Sequence, residues 1–122
     1  MDMWIQDNGY GSIKIGGMVY RRDVMMYRNG KGSYVSECPN VIPRLCNSSH
    51  HITLPQIKKM WKVGMKWLII GTGFFEKFSI SPDVIDFCLE KGCKVSILPT
   101  KMAAKVWNKS KGDAVGYFHL VC

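Results

Sequence analysis

Two short apolar runs, Trp67-Leu68-Ile69-Ile70 and Val95-Ser96-Ile97-Leu98, stand out along the chain, and each ends on a tight-turn sequence, Gly71-Thr72-Gly73 and Pro99-Thr100. Apolar runs without alternation fit strands covered on both faces, as parallel strands joined by a helical crossover are. The pattern predicts a strand, helix, strand unit that sets the two turns side by side at one sheet edge. Ligand sites of open α/β sheets gather at such edges.

The N-terminal third reads differently. Ser12-Ile13-Lys14-Ile15 alternates as a half-solvated strand does, and Gly16-Gly17 supplies a hairpin turn. Met18-Val19-Tyr20 continues past Arg21-Arg22 into Asp23-Val24-Met25-Met26-Tyr27, and Asn29-Gly30 reverses the chain before Ser33-Tyr34-Val35. Three strands follow, or two with a bend. From Glu37 to His51 the pattern breaks, with Pro39, Pro43 and Asn47-Ser48-Ser49 marking a long loop of the kind that carries function and is expected to be mobile.

Three helices follow. Thr53-Leu54-Pro55-Gln56 opens the first with a capping box, Ile57, Met60 and Trp61 give its buried face, and Gly64 ends it. Ser81-Pro82-Asp83 opens the second, Val84, Ile85, Cys88 and Leu89 face inward, and Gly92 closes it. The third starts after Pro99-Thr100, packs Ala103, Val106 and Trp107 inward and ends near Lys111-Gly112. The last strand is Ala114 to Val121, weakened or bent at Gly116. The fold class is therefore α/β, a mixed central sheet covered by helices with an N-terminal antiparallel β unit. One domain, 1–122, divides into an antiparallel unit over 8–36, a loop over 37–51 and an α/β unit over 52–122.

Composition narrows the class. With 122 residues, 47% of them hydrophobic and 21% charged, the chain suits one soluble core, and no apolar run nears the roughly 20 residues that cross a bilayer. The segment Met1 to Asp7 lacks the cationic and apolar regions of an export signal, so the expected compartment is the cytoplasm. Five cysteines, an odd number, favour reduced thiols. The net charge of +8 would draw phosphates or an acidic partner. Lys58, Lys62 and Lys66 recur every four residues, as do Lys101, Lys105 and Lys109, but no aromatics interleave for base stacking. Solvated helix faces are the first reading and a nucleic-acid surface the second.

Among site candidates, the amides of Gly71-Thr72-Gly73 and the hydroxyl and amide of Thr100, next to Pro99, could hold a small anion, or the glycines could serve a packed turn. A dinucleotide fingerprint is absent, since no third glycine follows and Phe74-Phe75 takes the place of a helix start; a P-loop is excluded. Asp23 is a possible buried acid, although an ion pair with Arg21 or Arg22, or an exposed position, is the simpler reading. Cys38, Cys46, His50 and His51 suit zinc in type but not in spacing, so neither a metal nor a cofactor is expected. Cys88 and Cys93 read as packing residues, and His119 as a satisfied histidine rather than half of a catalytic pair with Cys122. No catalytic residue is assigned.

The succession Gly11, Ile13, Ile15, Gly17, Tyr20, Asp23, Val24, Asn29-Gly30, then Ile70-Gly71-Thr72-Gly73, Leu98-Pro99-Thr100, Ala104, Asn108 and His119 with Cys122 resembles the small Mth-type domain of unknown function. That family includes archaeal and bacterial stand-alone domains, the adipogenesis-associated domain protein and a mitochondrial assembly factor of respiratory complex I. The resemblance runs from about Gly11 to Cys122. It implies a compact α/β fold with an N-terminal β extension, no established catalytic activity, and accessory or assembly work. Two positions depart from the family pattern. Trp107 stands where a tyrosine is usual and Val121 where a threonine is, and both changes remove a hydroxyl.

Three function classes follow. An interaction or assembly domain leads, with a protein partner and an exposed apolar patch involving the loop from Cys38 to His51. An anion or small-molecule binder would use Gly71, Thr72, Gly73, Pro99 and Thr100. A basic nucleic-acid binder comes third. The oligomeric state is not legible in the sequence.

Overall fold

A computed structural model describes residues 4–30, 32–37, 50–61, 64–74 and 78–120. The expected loop lies mostly outside them, including Cys38 and Cys46, and Cys122 lies outside as well. Five strands form the central sheet in the order β5 (Gly32–Glu37), β4 (Val24–Asn29), β10 (Ala114–Phe118), β7 (Trp67–Gly71), β9 (Lys94–Leu98). β10, β7 and β9 are parallel, while β4 and β5 run antiparallel to their neighbours, so the sheet is mixed as expected. β7 and β9 pair in parallel with Leu68 opposite Val95 and Ile70 opposite Ile97. β7 is interior and buried on both faces, but β9 is the edge strand and only half-buried.

The N-terminal unit is larger than the alternation suggests. β1 (Ile5–Gly9), β2 (Ser12–Ile15) and β3 (Met18–Tyr20) make their own antiparallel sheet, and β4 and β5 belong to the central one. Glycines 16 and 17 both take positive φ, which matches the right-handed twist of the β2–β3 hairpin. The next reversal sits one residue later than expected, because Asn29 itself pairs with Gly32. A third, two-stranded parallel sheet joins β6 (His50–Ile52) to β8 (Phe78–Ile80). His50 and His51 thus enter a strand instead of ending a loop.

Side chains on the central sheet alternate between two cores. Val24, Met26, Ile69, Ala114 and Phe118 face α3 (Thr100–Lys109) and the small sheet, where Ala103, Trp107, Ile5, Ile13 and Ile15 meet them. Tyr27, Leu68, Ile70 and Val115 face α1 (Leu54–Met60) and α2 (Pro82–Glu90), meeting Ile57, Met60, Val84 and Cys88. Asn108 holds the small sheet to α3: its Oδ1 accepts from the Ile5 N–H and its Nδ2 donates to the Ile5 C=O, each at 2.9 Å.

The helices follow their capping signals with corrections. At α1 the expected capping box forms, with the Gln56 carboxamide accepting from the Thr53 N–H at 2.8 Å. The helix stops at Met60, before Gly64, so Lys66 is not on it and the Lys58, Lys62, Lys66 stripe is not a helix face. On α2 the inward stripe is Val84, Cys88 and half-buried Phe87, while Ile85 and Leu89 turn outward, Leu89 being 66% exposed. Ser81 stands at the N-cap without a side-chain cap bond. α3 begins at Thr100 with Pro99 as N-cap, and Lys101, Lys105 and Lys109 line its exposed face. Gly116 lies inside β10, and a Cβ there would come within 2.5 Å of the Phe118 ring and 3.1 Å of the Trp107 ring. Its role is close packing, not a bend. Among the described residues no helix is long and apolar enough to cross a membrane.

Candidate functional site

The turn after β7 and the start of α3 meet at the carboxyl ends of the parallel strands. Thr72 donates its N–H to the Leu98 C=O at 2.8 Å and its hydroxyl to the same oxygen at 3.3 Å. The Thr100 N–H donates to the Gly73 C=O at 3.1 Å, and the Gly73 N–H returns a 2.8 Å bond to the Thr100 hydroxyl. That hydroxyl in turn donates to the His119 C=O at 2.6 Å, and the His119 N–H donates to the Gly71 C=O at 3.0 Å. Thr100 has no solvent exposure. Gly71 has to be glycine, since a Cβ would sit 2.9 Å from the Thr100 hydroxyl and 3.2 Å from the Phe118 ring. Pro99 closes the corner by accepting the N–H groups of Met102 and Ala103, both at 2.9 Å.

The chain thus gathers Gly71, Thr72, Gly73, Pro99 and Thr100 into one corner. Its donors are engaged within the protein. A helix start holds an anion through first-turn amides that lack partners; here the Thr100 amide, together with those of Thr72 and Gly73, is satisfied by backbone or hydroxyl oxygens. The arrangement is a lock between three chain segments.

Behind the corner lies the polar center of the fold. Asp23, 5% exposed, precedes β4, and its carboxylate accepts from the Tyr117 hydroxyl at 2.8 Å, from the His119 Nδ1–H at 2.8 Å and from the Leu120 N–H at 3.0 Å. A carboxylate can only accept, so the shared proton belongs to Nδ1. The partner of Asp23 is therefore His119, not Arg21 or Arg22, which are exposed. A carboxylate, an imidazole and a phenol are acid and base groups by type. Here they bind one another, and both Asp23 and His119 are buried.

A second polar cluster occupies the opposite end of β10 and had no expectation attached to it. Arg28, on β4, donates Nε to the Gly112 C=O at 2.9 Å, Nη2 to the Ser110 hydroxyl at 2.7 Å and Nη1 to the Trp107 C=O at 3.5 Å. Its guanidinium carbon lies 4.6 Å from the center of the Trp107 ring, a cation–π stack. Burial lowers the Arg28 pKa from its ordinary value, and Asp113 opposes that shift. The signal was present in the sequence as the one cation within the strand Val24–Asn29.

The thiols of Cys88 and Cys93 are free and buried in the α1–α2 core. Hydrogen bonding to Cys88 and burial push the Cys93 thiol far above its ordinary value. Among the described residues no group of histidines, cysteines and carboxylates could hold a metal ion.

Solved structures share this architecture. A conserved hypothetical protein of Pyrococcus horikoshii OT3 aligns over 98% of this chain and 100% of its own, with a TM-score of 0.78 and 22% identity. A protein of Bordetella parapertussis covers 96% and 94%, with a TM-score of 0.70 and 18% identity. A structure titled as an outer membrane protein from Bartonella henselae covers 100% of both chains, with a TM-score of 0.59 and 13% identity. At these identities the likeness is one of fold. The family model described as "Protein of unknown function (DUF498/DUF598)" matches residues 5–116, and the chain belongs to that family.

Proposed function

We propose that this protein is an accessory domain that binds a protein partner by strand addition along the outer edge of β9. The observation that carries the reading is the open edge itself. The Lys94 N–H donates to the Lys66 C=O and the Thr72 N–H to the Leu98 C=O, so Lys94 and Leu98 turn their backbone groups toward β7. Alternation along a strand then directs those of Val95 and Ile97 outward. Among the described residues no strand pairs with that side. Exposed edges recruit other chains unless they are blunted. Lys94 at one end and Pro99 at the other confine pairing to the apolar segment between them.

The neighbouring surface supports the same use. Ile97 is 38% exposed, and α2, which packs on β9, presents Ile85 and Leu89 to solvent. An extended peptide on β9 would take main-chain bonds from the edge and seat apolar side chains beside Ile97. The free thiols of Cys88 and Cys93 suit a reducing compartment such as the cytoplasm. The lock at Gly71 to Gly73 and Thr100 gives the corner a supporting role, and no donor there favours a resident anion.

The test is crosslinking mass spectrometry in native extract with the wild type and an Ile97→Glu variant whose fold is checked by amide exchange. The reading expects partner crosslinks at Lys91, Lys94 or Lys101, lost in the variant. Capture of the same partners in the same amount by Ile97→Glu would overturn it.

A further inference from the structure

A cavity of about 370 Å³ opens at the end of α3 remote from the Gly71 corner. Trp4, Arg28, Ser33, Trp107, Lys111 and Ser110 contribute to its lining. Its volume falls within the usual range for small-molecule sites, roughly 300–1,000 Å³. Three properties of the lining point to one ligand chemistry.

The first is positive charge with no carboxylate in direct contact. Among the described residues, no carboxylate lies within 4 Å of Arg28 or Lys111. Asp113 is the acid that acts on Arg28, and it does so without direct contact. The second is rigidity. Arg28 is fixed by bonds to Gly112, Ser110 and Trp107, which engage three of the five N–H groups a guanidinium carries. A fixed cation loses less side-chain entropy on taking an anion than a free one does. The third is the Trp4 indole, 54% exposed, a large aromatic face at the rim. A half-exposed indole beside two cations suits a planar ring that stacks while its anionic group meets the charges.

We propose that this cavity is a binding site for a small nucleoside monophosphate, with the base on Trp4 and the phosphate on Lys111 and Arg28. The site is independent of the β9 edge, which lies across the sheet from β4. It uses no atom of the Gly71 to Thr100 corner.

The experiment is an NMR titration of the full chain with AMP, following the Trp4 indole N–H, with adenosine, inorganic phosphate and a single-stranded oligoadenylate as separate arms. AMP is expected to shift the Trp4 signal saturably, with adenosine and phosphate each binding at least ~10-fold more weakly, since stacking and charge act together. Lys111→Gln is expected to raise the AMP Kd about 5-fold and Trp4→Leu about 10-fold, with melting temperatures recorded to confirm folding. Either no saturable shift by ~10 mM AMP or binding unchanged in both variants would overturn the assignment. Tighter binding of the oligoadenylate than of AMP at equal nucleotide concentration would also overturn it, in favour of an extended nucleic-acid surface.

Discussion

Replacing Thr100 by valine tests the lock at the carboxyl ends of β7, β9 and β10. The substitution keeps the shape of a fully buried side chain and removes its hydroxyl, which donates to the His119 C=O at 2.6 Å and accepts from the Gly73 N–H at 2.8 Å. Two backbone groups are then left without partners in a dry site, at roughly 1–3 kcal/mol each. The better transfer of a methyl than of a hydroxyl into the interior returns part of that cost, so the net loss is about 2–4 kcal/mol. Thr100→Ser keeps both bonds and loses one methyl group, for about 1 kcal/mol. The difference between the variants isolates the hydrogen bonds from the packing. Urea unfolding gives both values, with unchanged slope expected because the surface exposed on unfolding is the same. The corresponding fall in melting temperature for Thr100→Val is ~6–15 °C. If Thr100→Val unfolds within ~0.5 kcal/mol of the wild type, or no earlier than Thr100→Ser, the hydroxyl does not hold the corner together.

Three further predictions rest on other parts of the fold. Gly116→Ala places a Cβ 2.5 Å from the Phe118 ring in the middle of the sheet and is expected to cost about 1–3 kcal/mol in thermal or urea unfolding; a neutral result would show that the Phe118 and Trp107 rings slide aside freely. Asn108→Ala removes both bonds to the Ile5 backbone and is expected to speed amide exchange across β1 while leaving β7 protected; uniform acceleration would show that β1 is not separately anchored. Cys88 and Cys93, buried and with the Cys93 thiol shifted strongly upward, should resist alkylation by N-ethylmaleimide in the native state and react once unfolded, as read by peptide mass spectrometry. Rapid native labelling of either would contradict their place in the core.

The parallel pairing of β7 with β9 was legible because Trp67 to Ile70 carries consecutive apolar residues, the pattern of a strand covered on both faces. The same pattern misplaced β9. Val95, Ile97 and Leu98 read as an interior strand, yet β9 is an edge, where an exposed apolar residue such as Ile97 leaves no mark that distinguishes it from a core residue. β6 and β8 have three residues each, too few for any period to register, and β1, Ile5-Gln6-Asp7-Asn8-Gly9, has one apolar residue. The same blindness to rotation put Ile85 and Leu89 on the inner face of α2, since both Val84-Cys88 and Ile85-Leu89 satisfy helical spacing.

The corner itself was read from its turn residues, but its internal bonding was not. Whether an amide at a helix start is open or satisfied depends on which carbonyl lies opposite, and that is a tertiary fact. Asp23 and His119 are 96 positions apart, so no local pattern could join them, and the nearby arginines gave the more economical pairing. Gly116 shows the same limit. Its requirement comes from two rings folded over it, one from α3 and one from its own strand.

Amide exchange at Val95 and Ile97, measured in the isolated protein and again in the complex recovered from cells, tests the proposed strand addition most directly. The account predicts fast exchange at both amides alone and slowing of at least ~10-fold in the complex, with Ser96, already turned toward β7, changing little. Amides at 95 and 97 that are equally fast in the complex, or already slow in the isolated chain, would contradict it.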